Sequence, residues 1–176
     1  MIRQQAEVKR SDIALKEERR MAEEVERKFL VREGEWQPKG NGSRILQGYL
    51  CSVPERTVRV RMKDDRAYLT IKGKNDGIRR LEFEYEIPAA DAVELIELCE
   101  QPVIAKRRYL EEYEGFTWEI DVFEGENAGL VLAEVELPSE DTVFSLPAWA
   151  GEEVSADSRY YNSNLQLHPY CEWGNP

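Results

Sequence analysis

One histidine and three cysteines are all that 176 residues offer toward the usual zinc ligands, and the spacing of Cys51, Cys99 and Cys171 matches no metal motif. His168, beside Pro169 near the chain end, is the only histidine that could serve as a triad base, which leaves little room for that chemistry. An odd, scattered set of cysteines also argues for reduced thiols, as in a cytoplasm. No apolar run approaches the roughly 18 residues of a membrane span, and the N-terminus is charged rather than signal-like. Lys and Arg are missing altogether from Tyr109 to Asp157, a stretch that carries fourteen Asp and Glu.

What is present is acidic and globular. The net charge of -11 excludes a protein that coats nucleic acid or an anionic membrane. A hydrophobic content of 41% with 10% aromatics is too rich for a disordered chain, and the length suits one domain. The charge is unevenly placed: Arg56 to Arg80 holds nine basic residues against three acids. If that stretch folds against the acidic one, a cationic wall faces an anionic wall.

Residues 1–21 are polar helix formers with almost no apolar stripe, and read as a solvated, helical or disordered extension before a domain spanning 22–176. From there apolar residues alternate with polar ones, the period of strands. The segments are Glu24 to Arg32, Ser43 to Cys51, Thr57 to Lys63, Ala67 to Lys72, Arg79 to Ile87, Val103 to Glu114, Phe116 to Phe123 and Leu130 to Leu137. Turn chemistry separates them, as at Lys63-Asp64-Asp65 and Glu114-Gly115. Ala89 to Glu100 has helical spacing behind Pro88, and shorter helices are expected near Glu140 to Phe144 and Asp157 to Ser163. The class is α+β, mainly antiparallel β.

Residues two apart on a strand share a face. One face therefore collects Glu24, Glu26 and Lys28; Arg59 and Arg61; Lys72; Glu82 and Glu84; Lys106 and Arg108; Glu119 and Asp121; Glu134 and Glu136. Each opposes an apolar face. Like charges adjacent on one strand face repel, a cost that makes sense if something of opposite sign sits between them. A closed sheet with these charges inward would gather carboxylates that suit a hard divalent cation and cations that suit phosphate oxygens. The implied ligand is a metal-bound polyphosphate.

Glu24-x-Glu26-x-Lys28, within EVERKFLV, resembles the ExExK signature of the CYTH, or triphosphate tunnel metalloenzyme, superfamily. The resemblance continues in order through QGYL at Gln47 to Leu50, TVRVR ending at Arg61, LTIKG, RLEFEYEIP, the Lys106-x-Arg108 step, WEIDVF with Asp121, LAEVEL with Glu134 and Glu136, and GEEVSADSRYYNSNL, over about residues 22–167. Arg107 is an extra cation in the Lys-x-Arg step, and by parity it points outward. The resemblance implies a closed eight-stranded antiparallel barrel, with a charged lumen and a few flanking helices. It implies that Lys28, Arg59, Arg61, Lys72, Lys106 and Arg108 grip phosphates, that Glu24, Glu26, Asp121, Glu134 and Glu136 hold Mg²⁺ or Mn²⁺, and that Glu82 and Glu84 complete the lumen. Catalysis would fall to Glu24, Glu26, Lys28, Arg59 and Arg61. Tyr49 is either a buried tyrosine bonded to a neighbour or an inward group tuning a lysine. Arg159 either reaches toward phosphate from a helix at a tunnel mouth or lies on an ordinary surface helix. The expected activity is hydrolysis of inorganic triphosphate by a cytoplasmic enzyme, with no nucleic-acid or membrane partner and with a homodimer allowed. Alternatives are an adenylate cyclase, a thiamine triphosphatase, or a non-catalytic polyphosphate-binding module.

Overall fold

The computed structural model describes residues 23–74, 76 and 78–174; the expected extension at residues 1–21 lies outside them. Nine strands follow in chain order: β1 Glu23–Val31, β2 Ser43–Val53, β3 Arg56–Lys63, β4 Arg66–Gly73, β5 Arg79–Ile87, β6 Ile104–Tyr113, β7 Phe116–Phe123, β8 Val131–Glu136 and β9 Ala150–Glu153. Helix α1, Ala89–Glu97, starts behind Pro88, and α2 is Asn162–Leu167.

The strands form one antiparallel sheet in the order β5-β4-β3-β2-β6-β7-β8-β1-β9. The ladder of β1 with β8 places Lys28 opposite Glu134 and Glu26 opposite Glu136. β1 also pairs β5 over three residues, Glu23 to Val25 against Leu81 to Arg79. The mainly antiparallel architecture matches the sequence reading; the eight strands expected become nine, and the closed barrel expected is reduced to an antiparallel sheet whose β1 and β5 meet over those three residues only. The short β9 was invisible to a period-2 search because Ala150-Gly151-Glu152-Glu153 has no alternation. Glycine is needed at 151, since a Cβ there would stand 2.9 Å from the Leu30 carbonyl oxygen of the neighbouring strand. The β6–β7 turn takes positive φ at both Glu114 and Gly115, the hairpin geometry that matches strand twist.

The apolar faces are covered in three places. Under the 138–149 segment, Trp118 packs against Phe29, Phe144 and Trp149, with ring centroids 5.3 to 6.0 Å apart. Under α1, Val60, Ala67, Ala92 and Cys99 form a second cluster. A third, Ile104, Phe123, Leu130, Leu132 and Leu165, joins the sheet to α2.

Two helix expectations are corrected. Residues Glu140 to Phe144 form a turn and extended chain: Thr142 Oγ1 accepts from Ser139 N–H, and Phe144 is drawn into the Trp118 cluster. The helix expected at Asp157 to Ser163 is split into a single 3₁₀ turn, Ser158–Tyr160, capped by Asp157, and then α2 two residues later. The thiols of Cys51, Cys99 and Cys171 are free. Among the described residues, no helix is long and apolar enough to cross a membrane.

Candidate active site

Strand alternation aims the charged faces of seven strands at one cavity of about 570 Å³. Its cationic side comes from Arg56, Arg59 and Arg61 on β3, Lys72 on β4 with Lys74 just after it, Arg80 on β5, Lys28 on β1 and Arg108 on β6. Its acidic side comes from Glu26, Glu82, Glu84, Glu119, Glu134 and Glu136. A smaller cavity of about 340 Å³ adjoins it and shares Glu26, Glu119, Glu134 and Glu136. Those four carboxylates therefore stand where the two spaces meet.

The charges saturate one another. Lys28 Nζ donates to Glu134 and lies 3.5 Å from Glu26. Burial opposes the Lys28 ammonium, but Glu134 and Glu26 outweigh it and hold the pKa above the ordinary lysine value. Arg108 is forked onto Asp121 with two bonds of 2.6 Å, and also reaches Glu134 at 2.9 Å and Glu119. Lys106 Nζ meets Asp121 at 2.5 Å and Asn162 at 3.3 Å. Glu134 and Asp121 are fully buried, which alone would raise their pKa values. The cations around them, Lys28 and Arg108 at Glu134 and Arg108 and Lys106 at Asp121, reverse that and hold both below the ordinary carboxylate range.

On the other wall, Arg59 contacts Thr70 at 3.1 Å and Glu84 at 3.4 Å, and Lys72 meets Glu82 at 2.7 Å. Arg61 differs: among the described residues it forms no ion pair, and its Nε is buried without a hydrogen bond. Burial first, then repulsion from Arg59 and Arg108, lowers its pKa to about 10. It remains a cation at neutral pH and is available to an incoming anion.

The parity reading thus brings together Glu26, Lys28, Arg59, Arg61, Lys72, Glu82, Glu84, Arg108, Glu134 and Glu136. Tyr49 also lines the cavity; burial raises its pKa, opposed by Arg59, Arg80 and Arg61. Glu24 sits opposite Arg80 in the β1–β5 ladder, with its side chain outside the described residues. Three candidates stand off the cavity wall. Asp121 and Lys106 are 0% exposed behind Arg108, with Asp121 taken up by two cations. Arg159 is held by Asp157 and stacked on Tyr160 and Trp173. The sequence reading missed Arg80, although it has the parity of Glu82, and gave Glu119 no role. It set the segment around Arg159 at a tunnel mouth but gave no role to the neutral side chains of Ser155, Ser158, Tyr161, Asn162 and Asn164 that line the cavity there, since they carry no charge pattern to find.

A model of the CYTH domain matches residues 22–167. The chain belongs to the CYTH domain family. An inorganic triphosphatase of Acetivibrio thermocellus is 52% identical over 151 residues, covering 85% of this chain and 97% of that protein. An inorganic triphosphatase of Nitrosomonas europaea is 36% identical over 151 residues, with 82% and 97% covered. The crystal structure of an inorganic triphosphatase superposes with a TM-score of 0.60 at 35% identity, covering 82% of this chain and 94% of that one. For a CYTH chain the sheet order, with β1 reaching back to β5, is the frame that turns the charged faces of non-adjacent strands toward each other.

Proposed function

We propose that this CYTH protein is a metal-dependent hydrolase of inorganic triphosphate that holds its substrate between the charged faces of its strands, in a lumen that the short β1–β5 ladder would help to close. One observation carries the reading: eight cations and six carboxylates line a single 570 Å³ cavity, and Arg61 forms no ion pair among the described residues. The similarity to two inorganic triphosphatases supports it.

The donor set fits a hard divalent cation. Glu26, Glu119, Glu134 and Glu136 are oxygen donors on three adjacent strands, paired in register and meeting at one place. Among the described residues no three carboxylates already stand as a metal cage, because Lys28 and Arg108 hold Glu134. Mg²⁺ or Mn²⁺ would be held by these glutamates. When bound, such an ion offsets phosphate charge and makes phosphorus easier to attack.

Phosphoryl transfer asks the protein mainly for positioning and charge neutralisation. Arg59, Arg61 and Arg108 present guanidinium forks to the phosphate oxygens, and Lys28 and Lys72 act as point charges. Arg59 and Arg61 stabilise charge developing on the transferred group. Glu26, held by Lys28 at 3.5 Å, accepts the proton of the attacking water. Turnover moves the carboxylates off their cations and substitutes phosphate for them.

The neutral wall at Ser155 to Asn164 favours testing a nucleotide as second substrate, as a cyclase would use. Tripolyphosphate, ATP and thiamine triphosphate are each incubated with Mg²⁺ or Mn²⁺, and orthophosphate, pyrophosphate and cyclic nucleotide are resolved. Orthophosphate and pyrophosphate from tripolyphosphate are expected. Cyclic nucleotide as the main product, or no turnover of any of the three, would overturn the proposal.

A further inference from the structure

QGYL, the β2 motif, contributes nothing charged to the cavity, yet it contains a polar group with no apparent structural use. Gln47 is 0% exposed, and among the described residues neither its amide oxygen nor its amide nitrogen has a hydrogen-bond partner. Buried amides are nearly always paired, and an orphaned one is costly. On β2 it lies between Ile45 and Tyr49 on the inner face, and its cross-strand partner on β3 is Arg61. Directly opposite residues on one sheet face have Cβ atoms about 5 Å apart, within reach of both long side chains. Arg61 brings the complementary orphan, a buried Nε–H donor without an acceptor.

We propose that Gln47 is a positioning residue for Arg61: its amide oxygen accepts the Arg61 Nε–H when the guanidinium swings onto phosphate. That bond leaves the two terminal nitrogens of Arg61 as a fork toward the substrate. Ile104, the cross-strand partner of Gln47 on β6, is buried and apolar and brings no competing side-chain acceptor. The inference rests on the phosphate-gripping role of Arg61.

Gln47→Leu, and Gln47→Met as a second variant of matching length, are assayed on tripolyphosphate alone and in an Arg61→Ala background, with melting curves for each. Replacing an unpaired buried amide by an apolar group is expected to keep or raise the melting temperature. The KM is expected to rise about tenfold, the scale of one hydrogen bond to a charged group, with kcat changed less. In the Arg61→Ala background the same change should cost less than about twofold, since the partner is gone. An unchanged KM in both Gln47 variants, or the full tenfold effect persisting without Arg61, would overturn the inference. If Arg61→Ala alone leaves kcat/KM at the wild-type level, the gripping role of Arg61 fails instead, and with it the basis for Gln47.

Discussion

Arg108 Nη2 lies 2.9 Å from one oxygen of Glu134, while Lys28 donates to the other. A phosphate-gripping candidate and a metal-holding candidate therefore occupy each other. Removing the Glu134 charge takes from the buried Lys28 its nearest partner, leaving Glu26 at 3.5 Å, and from Arg108 one of three carboxylates, a loss of about 3 kcal/mol. In a chain of this size that is a fall of roughly 6 to 12 °C in melting temperature. Glu134→Gln keeps the side-chain shape, so the fold is expected to survive while kcat drops by a factor of about 10² or more. Circular dichroism reads the first and phosphate release the second; wild-type turnover would remove Glu134 from the site.

Because the lumen is self-neutralised, an anion arriving alone must break cation–carboxylate pairs and leave carboxylates bare, and a cation arriving alone does the reverse. Tripolyphosphate and a divalent ion should therefore bind cooperatively. In thermal melts the shift with both present is expected to exceed the sum of the separate shifts, as ligand linkage requires for coupled sites. Additive shifts would contradict the exchange of partners argued here. By the same logic, excess chelator is expected to stop phosphate release.

Arg59 makes a contact of 3.1 Å to Thr70 and a looser one of 3.4 Å to Glu84, so its truncation leaves no fully buried carboxylate stranded. Arg59→Ala is expected to lower kcat/KM by about 10² or more with little change in melting temperature. A large melting loss with retained kcat/KM would make Arg59 a structural residue.

Much of this site was legible because strand parity is strict: each of Glu26, Lys28, Arg59, Arg61, Lys72, Arg108, Glu134 and Glu136 shows its face through its apolar neighbours. Arg80 obeys the same rule but follows Arg79 at the strand start, where the pattern begins in two like residues. Depth was not legible. Parity says that Asp121 points inward, but not that Arg108 and Lys106 enclose it, since that depends on which strands become neighbours. The turn at Glu140 to Phe144 misled for a related reason: the docking of Phe144 against Trp118 is a long-range contact that overrides local helix preference.

Acid should loosen the fold through the same pairs. Glu134 and Asp121 have folded pKa values held below the ordinary carboxylate range. The stability they contribute is fully present above about pH 4 to 5 and is lost as pH falls through their folded values. Melting temperature is expected to decline steadily below about pH 5, and Glu134→Gln should flatten that decline. A parallel decline in the variant would assign the acid sensitivity elsewhere.

Lys106 gives the opposite sign. It is fully buried, and although Asp121 stands 2.5 Å away, burial together with repulsion from Arg108 brings its pKa down to about 8. Asp121 keeps two bonds from Arg108 whether or not Lys106 is charged. Below pH 8 the folded state must therefore hold a buried ammonium that it disfavours, whereas the unfolded chain holds that charge in water up to about pH 10.4. The unfolded state binds more protons between those values, so this group's contribution rises with pH across that window. Lys106→Met removes the charge and keeps the length. Its melting temperature at pH 7 is expected to equal or exceed that of the wild type, with the difference shrinking as pH climbs toward 10. A marked loss at pH 7 would show that Asp121 depends on Lys106 after all.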